Sequence, residues 1–138
     1  MNPIQASCRC GEVTLTISAE PVAQFFCHCR DCQMAHSGAY VAASMHPAAA
    51  VVASGGELST RVMRTTRRMQ CAHCGTPLFA ELDSFGIRSV NAYLLPEAAF
   101  QPQFHVQCQD AVRPVVDGLP HYRVFPARFG GSDDCMEW

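Results

Sequence analysis

The segment CAHCG, residues 71–75, carries two cysteines separated by two residues and followed by a glycine. This spacing lets a tight turn bring both thiolates to about 2.3 Å from one zinc ion, and Gly75 can take a turn conformation that a side chain would strain. The segment CRCG, residues 8–11, offers a second pair, since side chains two apart on an extended chain point the same way. Together the two pairs predict one closed, structural, tetrahedral zinc site with the ligands Cys8, Cys10, Cys71 and Cys74.

A third cluster, CHCRDC at residues 27–32, holds three cysteines within six residues. A C-x-C step joined to a C-x-x-C step can place three thiolates around one metal and leave the fourth corner to water or substrate, as in catalytic zinc sites. The cluster therefore predicts a second zinc bound by Cys27, Cys29 and Cys32. Two other interpretations are reduced core cysteines and a thioredoxin-like redox pair, although no βαβ pattern surrounds the cluster.

The cysteine content also bears on the compartment, because the chain has nine cysteines among 138 residues. A secreted disulfide scaffold predicts an even number of cysteines and a signal peptide. The first residues, MNPIQ, have neither the basic stretch nor the apolar segment of a signal, so we expect a cytoplasmic protein. The longest apolar run, Ala48 to Ala53, is too short to cross a bilayer. A net charge of −2 argues against nucleic acid as a partner.

Alternating apolar and polar residues mark the first clear strand of the chain, Glu12 to Ser18. Glycine and proline separate several further short strand candidates, and the only helical turns predicted are short, at Asp31 to Ala35 and Pro96 to Phe100. We therefore predict one domain over residues 1–138, with an all-β sandwich of short antiparallel strands. The other candidate strands are Val22–Phe26, Ala39–Met45, Leu58–Met63, Met69–Gln70, Leu78–Leu82, Ile87–Leu94 and Gln103–Gln107.

Three ordered cysteine motifs, CRCGEV at residues 8–13, CHCRDCQ at 27–33 and CAHCGTPLF at 71–79, carry a family resemblance. With the late segment RPVVDGLPHY at residues 113–122, they resemble the glutathione-dependent formaldehyde-activating enzyme (GFA) family. That family also includes centromere protein V and is related to the Mss4-like zinc folds. The resemblance covers roughly residues 6–126.

The resemblance implies a β-sheet fold stapled by a structural zinc at the first four cysteines and a second, partially occupied zinc at the triplet Cys27, Cys29 and Cys32. The implied activity joins glutathione to formaldehyde and is classed as a carbon–sulfur lyase. Val115 departs from the family, whose members often have tryptophan there, so substrate choice can differ. A non-catalytic, zinc-stapled binding module is the alternative, and the oligomeric state stays open.

Histidines and two further cysteines are secondary candidates. His28 and His36 could move protons near the second zinc, although a surface position for His28 within the knuckle is at least as good an interpretation. His105 lies in a predicted strand and is expected to be a hydrogen-bonded structural histidine. The remaining expectations are that Cys108 is a core thiol, Cys135 a tail residue, His73 an exposed turn residue and Asp117-Gly118 a turn with no acid–base role.

Overall fold

Short β-strands make up the regular structure of the chain, which a computed structural model describes over residues 1–138. A single seven-residue α-helix, α1, spans Arg30–His36, and the remaining helical turns are three-residue 3-10 helices. No helix is long or apolar enough to pass through a lipid bilayer. The strands are β1 (Ile4–Ser7), β2 (Thr14–Ile17), β3 (Ala23–Cys27), β4 (Val41–Pro47), β5 (Val51–Ser54), β6 (Leu58–Met63), β7 (Thr66–Cys71), β8 (Pro77–Leu82), β9 (Ile87–Asn91) and β10 (Phe104–Val106).

The contacts between residues divide the chain into two compact units. The first unit contains residues 1–23 and 44–100, and the second contains residues 24–43 and 101–138. The all-β fold predicted from the sequence is confirmed. The prediction of one domain over residues 1–138 stays a prediction.

The first unit contains a three-stranded antiparallel sheet in the order β1-β2-β5. Ile4 pairs with Ile17 at one end of the β1–β2 ladder, and Ile17 pairs in turn with Val51 of β5. The alternation seen in the sequence places Val13, Leu15 and Ile17 on the buried face, where none of them is exposed to solvent. Their burial fixes the register, because a shift by one residue would turn all three to water.

The same unit contains an antiparallel meander of β6, β7, β8 and β9. Leu58 of β6 pairs with Cys71, so β6 begins opposite the cysteine at which β7 ends. The β7–β8 register shifts at Met69 and Gln70, which marks a β-bulge just before that cysteine. Arg88 of β9 donates to the carbonyl oxygen of Val51 at 2.6 Å and so ties the meander to β5.

In the second unit, β10 lies parallel to the neighbouring part of β3, with Phe104 opposite Phe25 and Val106 opposite Cys27. This pair is parallel, whereas the sequence predicts short antiparallel strands. Parallel pairing requires a long crossover connection, and the chain between these two strands is long enough to provide one. The rings of Phe25 and Phe104 stack with centroids 5.4 Å apart, which packs the two strands against each other.

The predicted elements differ from the observed ones mainly at their ends. Leu58–Met63 has the predicted bounds, whereas Ile87–Leu94 is a strand only as far as Asn91 and then turns into a 3-10 helix. The helical turn near Asp31 is α1, and its start is set by Cys29, whose sulfur accepts from the backbone N–H of Cys32. Strands β1 and β5 were not predicted.

Candidate metal centres

Four cysteine sulfurs cluster in the first unit, all within 4.8 Å of one another. They belong to Cys8, Cys10, Cys71 and Cys74. The Sγ atoms of Cys8 and Cys10 are 3.5 Å apart, and those of Cys10 and Cys71 are 3.8 Å apart. Four sulfurs placed tetrahedrally about 2.3 Å from a zinc ion lie about 3.8 Å from one another, whereas a disulfide needs about 2.05 Å. All nine cysteines are free thiols. The sulfur separations therefore match a tetrahedral metal site.

Two similar turns hold these sulfurs. In each turn a glycine N–H donates back to the carbonyl oxygen of the first cysteine, Gly11 to Cys8 at 3.1 Å and Gly75 to Cys71 at 2.9 Å. Gly11 has a φ of 85° and Gly75 a φ of 76°, a region that favours glycine. Backbone N–H groups also point at the sulfurs, as from Val13 to Cys8 Sγ at 3.3 Å. Such N–H···S contacts stabilise a thiolate and orient it toward a metal.

The thiols of this cluster affect one another's ionisation. Hydrogen bonds from the Thr76 hydroxyl and backbone lower the pKa of Cys74 to about 5. For Cys10 a backbone hydrogen bond from Glu12 acts to lower the pKa, but burial and the neighbouring sulfurs outweigh it and raise the pKa to about 12. Neighbouring thiolates repel each other unless a cation lies between them. The set therefore has the chemistry of a site for a thiophilic divalent metal.

The triplet Cys27, Cys29 and Cys32 forms a second group in the second unit, with all three sulfurs within 4.8 Å of one another. Cys27 ends β3, Cys29 caps α1 and Cys32 lies in the first turn of that helix. Contacts with the other two sulfurs, together with burial, hold the pKa of the Cys27 thiol well above its ordinary value. No fourth cysteine, histidine, aspartate or glutamate side chain joins this group.

His28 is fully buried, so the interpretation as a surface residue within the knuckle is wrong. An extended backbone turns alternate side chains to opposite sides, and His28 packs between the rings of Tyr40 and Trp138 at centroid distances of 5.0 and 5.4 Å. Its Nε2 lies 2.8 Å from Nδ1 of His105. Burial lowers the pKa of His28 to about 4, and the neighbouring His105 acts in the same direction, so the ring is neutral at pH 7.

Asp117 and two histidines form a third group that the sequence analysis did not predict. Asp117 accepts from the backbone N–H of Leu119 at 3.1 Å, which is the expected turn, but its Oδ2 also lies 2.6 Å from Nε2 of the buried His105. Burial acts to raise the pKa of Asp117, but its hydrogen bonds, the one to His105 foremost, outweigh this and lower the pKa. The carboxylate is therefore ionised at neutral pH, and the Asp117 turn has an electrostatic role after all.

His121 lies beside this pair, with its ring stacked on that of His105 at a centroid distance of 4.4 Å. Its Nε2 is 2.7 Å from the carbonyl oxygen of Val115 and 3.5 Å from Asp117 Oδ1. A carbonyl can only accept, so this Nε2 carries a proton and has no free lone pair for a metal. Histidine and aspartate are residue types that bind metals, but the contacts of His105, Asp117 and His121 form a hydrogen-bond network.

The remaining candidate residues lie apart from these groups. Cys108 is buried and Cys135 is exposed, as expected for a core thiol and a tail residue. His105 is buried and hydrogen-bonded, which confirms its structural assignment. His73 is exposed, and His36 lies in the last turn of α1. Two sequence signals belong to the histidine network: the position of His28 between two cysteines, and the Asp-Gly pair at 117–118. Neither signal indicates that His105 lies beside these residues.

Comparison with known proteins agrees with the cysteine pattern. A search of curated proteins found no significant match. A crystal structure of a Rhodobacter sphaeroides protein superposes with a TM-score of 0.57 at 19% sequence identity, covering 68% of this chain and 89% of that one, which supports the fold alone. The sequence model of the family described as glutathione-dependent formaldehyde-activating enzyme matches residues 3–110. The chain therefore belongs to the glutathione-dependent formaldehyde-activating enzyme family.

Proposed function

We propose that the chain is a zinc-dependent enzyme of the carbon–sulfur lyase type, which joins a small thiol such as glutathione to an aldehyde such as formaldehyde. The reacting thiol would bind at the triplet Cys27, Cys29 and Cys32. The observation that carries the proposal is the donor set itself: three sulfurs within 4.8 Å of one another and no fourth side-chain ligand. Three protein ligands leave one position for an exchangeable group, which is how catalytic zinc sites differ from structural ones.

A zinc ion bound by the triplet would supply positive charge that lowers the pKa of an incoming thiol. The chain's own residues supply position. Cys27 and Cys29 are fixed at the junction of β3 and α1, and the N–H of Cys32 donates to Cys29 Sγ at 3.3 Å. The helical first turn thus sets the direction of one sulfur before any ligand arrives.

The proposed reaction balances without an added oxidant or reductant. The thiol loses its proton, its sulfur attacks the aldehyde carbon, and a C–S bond forms as the C=O π bond breaks. The oxygen takes up a proton, which gives a hemithioacetal, S-hydroxymethylglutathione, from glutathione and formaldehyde. The reverse sequence releases the aldehyde, which is the lyase direction.

Zinc content provides the first test. We expect two zinc ions per wild-type chain when zinc is supplied, and one in the variant Cys27→Ser, Cys29→Ser, Cys32→Ser, since the triplet is separate from the other four cysteines. The variant is expected to stay folded, as judged by near-UV circular dichroism. The matched control is Cys135→Ser, which removes an exposed cysteine outside both groups and should retain two ions. A triple variant that still binds two ions would contradict the proposed ligands.

Adduct formation provides the second test. The rate at which glutathione and formaldehyde exchange with their adduct can be followed by exchange NMR with and without protein. We expect acceleration by the wild type and a fall to the uncatalysed rate in Cys29→Ser, in which a serine can still cap α1. Cys135→Ser should match the wild type. A zinc-loaded wild type that gives no acceleration with any small thiol and aldehyde would favour the binding module instead.

A further inference from the structure

His28, the residue between Cys27 and Cys29, is held by three hydrogen bonds. Its N–H donates to the carbonyl oxygen of Val106 at 3.0 Å. Its carbonyl oxygen accepts from Nε2 of Gln33 at 2.7 Å. Its ring nitrogen Nε2 lies 2.8 Å from Nδ1 of His105. The residue between the first two cysteines of the triplet is therefore held through its N–H, its carbonyl oxygen and its ring.

Protons along the histidine contacts can be assigned from the partners that each atom meets. Asp117 is an acceptor, so Nε2 of His105 carries a proton and donates to Oδ2 at 2.6 Å. The neutral ring of His105 then has a bare Nδ1, which must accept from Nε2–H of His28. Asp117 thus determines the tautomer of His105, and His105 determines the tautomer of His28.

This order leaves Nδ1 of His28 as a bare lone pair, and that atom is buried with no hydrogen-bond partner. A buried acceptor without a donor is tolerated better than a buried N–H without an acceptor. If His28 instead carried its proton on Nδ1, that N–H would be buried without an acceptor, and two bare ring nitrogens would face each other between His28 and His105. The network therefore has one favourable arrangement, and Asp117 selects it.

We propose that Asp117 and His105 are positioning residues for the triplet Cys27, Cys29 and Cys32. Acting through His28, they fix the backbone that carries the side chains of Cys27 and Cys29. The inference rests on the proposed metal-binding role of the triplet. It assigns a role to a buried network that joins the triplet segment at His28. Residues that orient a ligand from behind affect both metal affinity and coordination geometry.

The experiment measures zinc release and coordination geometry instead of turnover. A chromogenic chelator is titrated against the two-zinc protein. It should remove the two zinc ions in separate steps, each set by the zinc affinity of one cysteine group. We expect Asp117→Asn to weaken the triplet's zinc about 10–100-fold and to leave the other zinc unchanged, because an amide cannot accept from both His105 and Leu119. With Co²⁺ in place of zinc, the absorption bands of the triplet site should shift.

The matched control is His46→Gln. His46 is also a buried, hydrogen-bonded histidine, with contacts to Ser44 Oγ at 2.8 Å and the Ala19 carbonyl at 2.9 Å, but it lies outside the network. It should lower the stability of the protein without changing the zinc affinity of the triplet. Equal effects of Asp117→Asn and His46→Gln would show a merely structural role and overturn the inference.

A pair of replacements at His28 tests the same idea if Asp117→Asn does not fold. Gln can still donate to His105, whereas Leu has a similar volume and no donor. We expect His28→Leu to weaken the triplet's zinc and His28→Gln to recover most of the loss. Equal zinc affinities in both variants and the wild type would overturn the inference. A two-zinc wild type without adduct-forming activity would contradict the proposed function alone, whereas a wild type with one zinc would contradict both proposals.

Discussion

Replacing Cys71 and Cys74 together by serine is expected to leave a chain that does not fold cooperatively at 25 °C. The two sulfurs lie at the end of β7 and in the turn after it, and they meet the sulfurs of the turn that follows β1. A structural zinc contributes about 10–16 kcal/mol to folding in small peptides, and the net stability of a whole domain is only about 5–15 kcal/mol. Loss of the site therefore removes stability comparable to the whole net stability of such a domain.

The measurement is thermal unfolding followed by near-UV circular dichroism, with zinc supplied. The wild type should unfold in one transition, and the double variant should show none. Treating the wild type with a strong chelator should give the same result as the substitutions, because both remove the metal. Cys135→Ser should unfold like the wild type. A double variant whose Tm lies within a few degrees of the wild type would show that these four cysteines hold no structural metal.

Gly55→Ala is expected to be the most damaging single replacement of a glycine near the first cysteine group. Gly55 has a φ of 94°, and a Cβ added there would lie 2.5 Å from the carbonyl oxygen of Glu12. That oxygen belongs to the turn that begins at Cys8, whose N–H donates to Val13 O at 2.9 Å. The clash is with backbone and cannot be relieved by turning a side chain. We expect a loss of about 3 kcal/mol, which combines left-handed backbone strain with overpacking.

Urea unfolding of the zinc-loaded protein measures this loss as a shift of the midpoint. Gly86→Ala is the matched control, since Gly86 also has a positive φ, 63°, but a Cβ there meets no atom within 4 Å. It should cost only the backbone strain, about 1 kcal/mol. Equal midpoints for the two variants would mean that the Glu12 turn moves freely, and the described packing of that turn would then be wrong.

The cysteine motifs of the candidate metal centres could be predicted from the sequence, because the spacing within each motif is local, although the meeting of Cys8 and Cys10 with Cys71 and Cys74 depends on the fold. Cys71 and Cys74 form one turn, Cys27, Cys29 and Cys32 form one strand end and helix start, and spacing alone places their sulfurs together. The histidine network could not be predicted in this way. Asp117, His105 and His28 lie on three separate segments, and only the parallel pairing of β3 with β10 brings two of them together.

The strands were predictable where the alternation of apolar and polar residues is clear. They were not predictable where pairing with distant strands decides the structure. The alternation around Leu15 gave β2, and the Leu58–Met63 strand has the predicted bounds. Strands β1 and β5 were not predicted, and each becomes a strand by pairing with β2. The direction of β10 has no signature in its own residues, since a three-residue strand reads the same in either orientation.

The parallel pairing of β3 with β10 has a consequence for how the protein is made. During synthesis the three cysteines of the triplet leave the ribosome long before Phe104, His105 and Val106, so their strand has no β10 beside it for most of translation. Contacts so distant along the chain raise the contact order and slow folding. The hairpins of β6 to β9 join neighbouring segments and can form as they emerge. The strand that ends at Cys27 thus gains its β10 partner only once residues 104–106 have been translated.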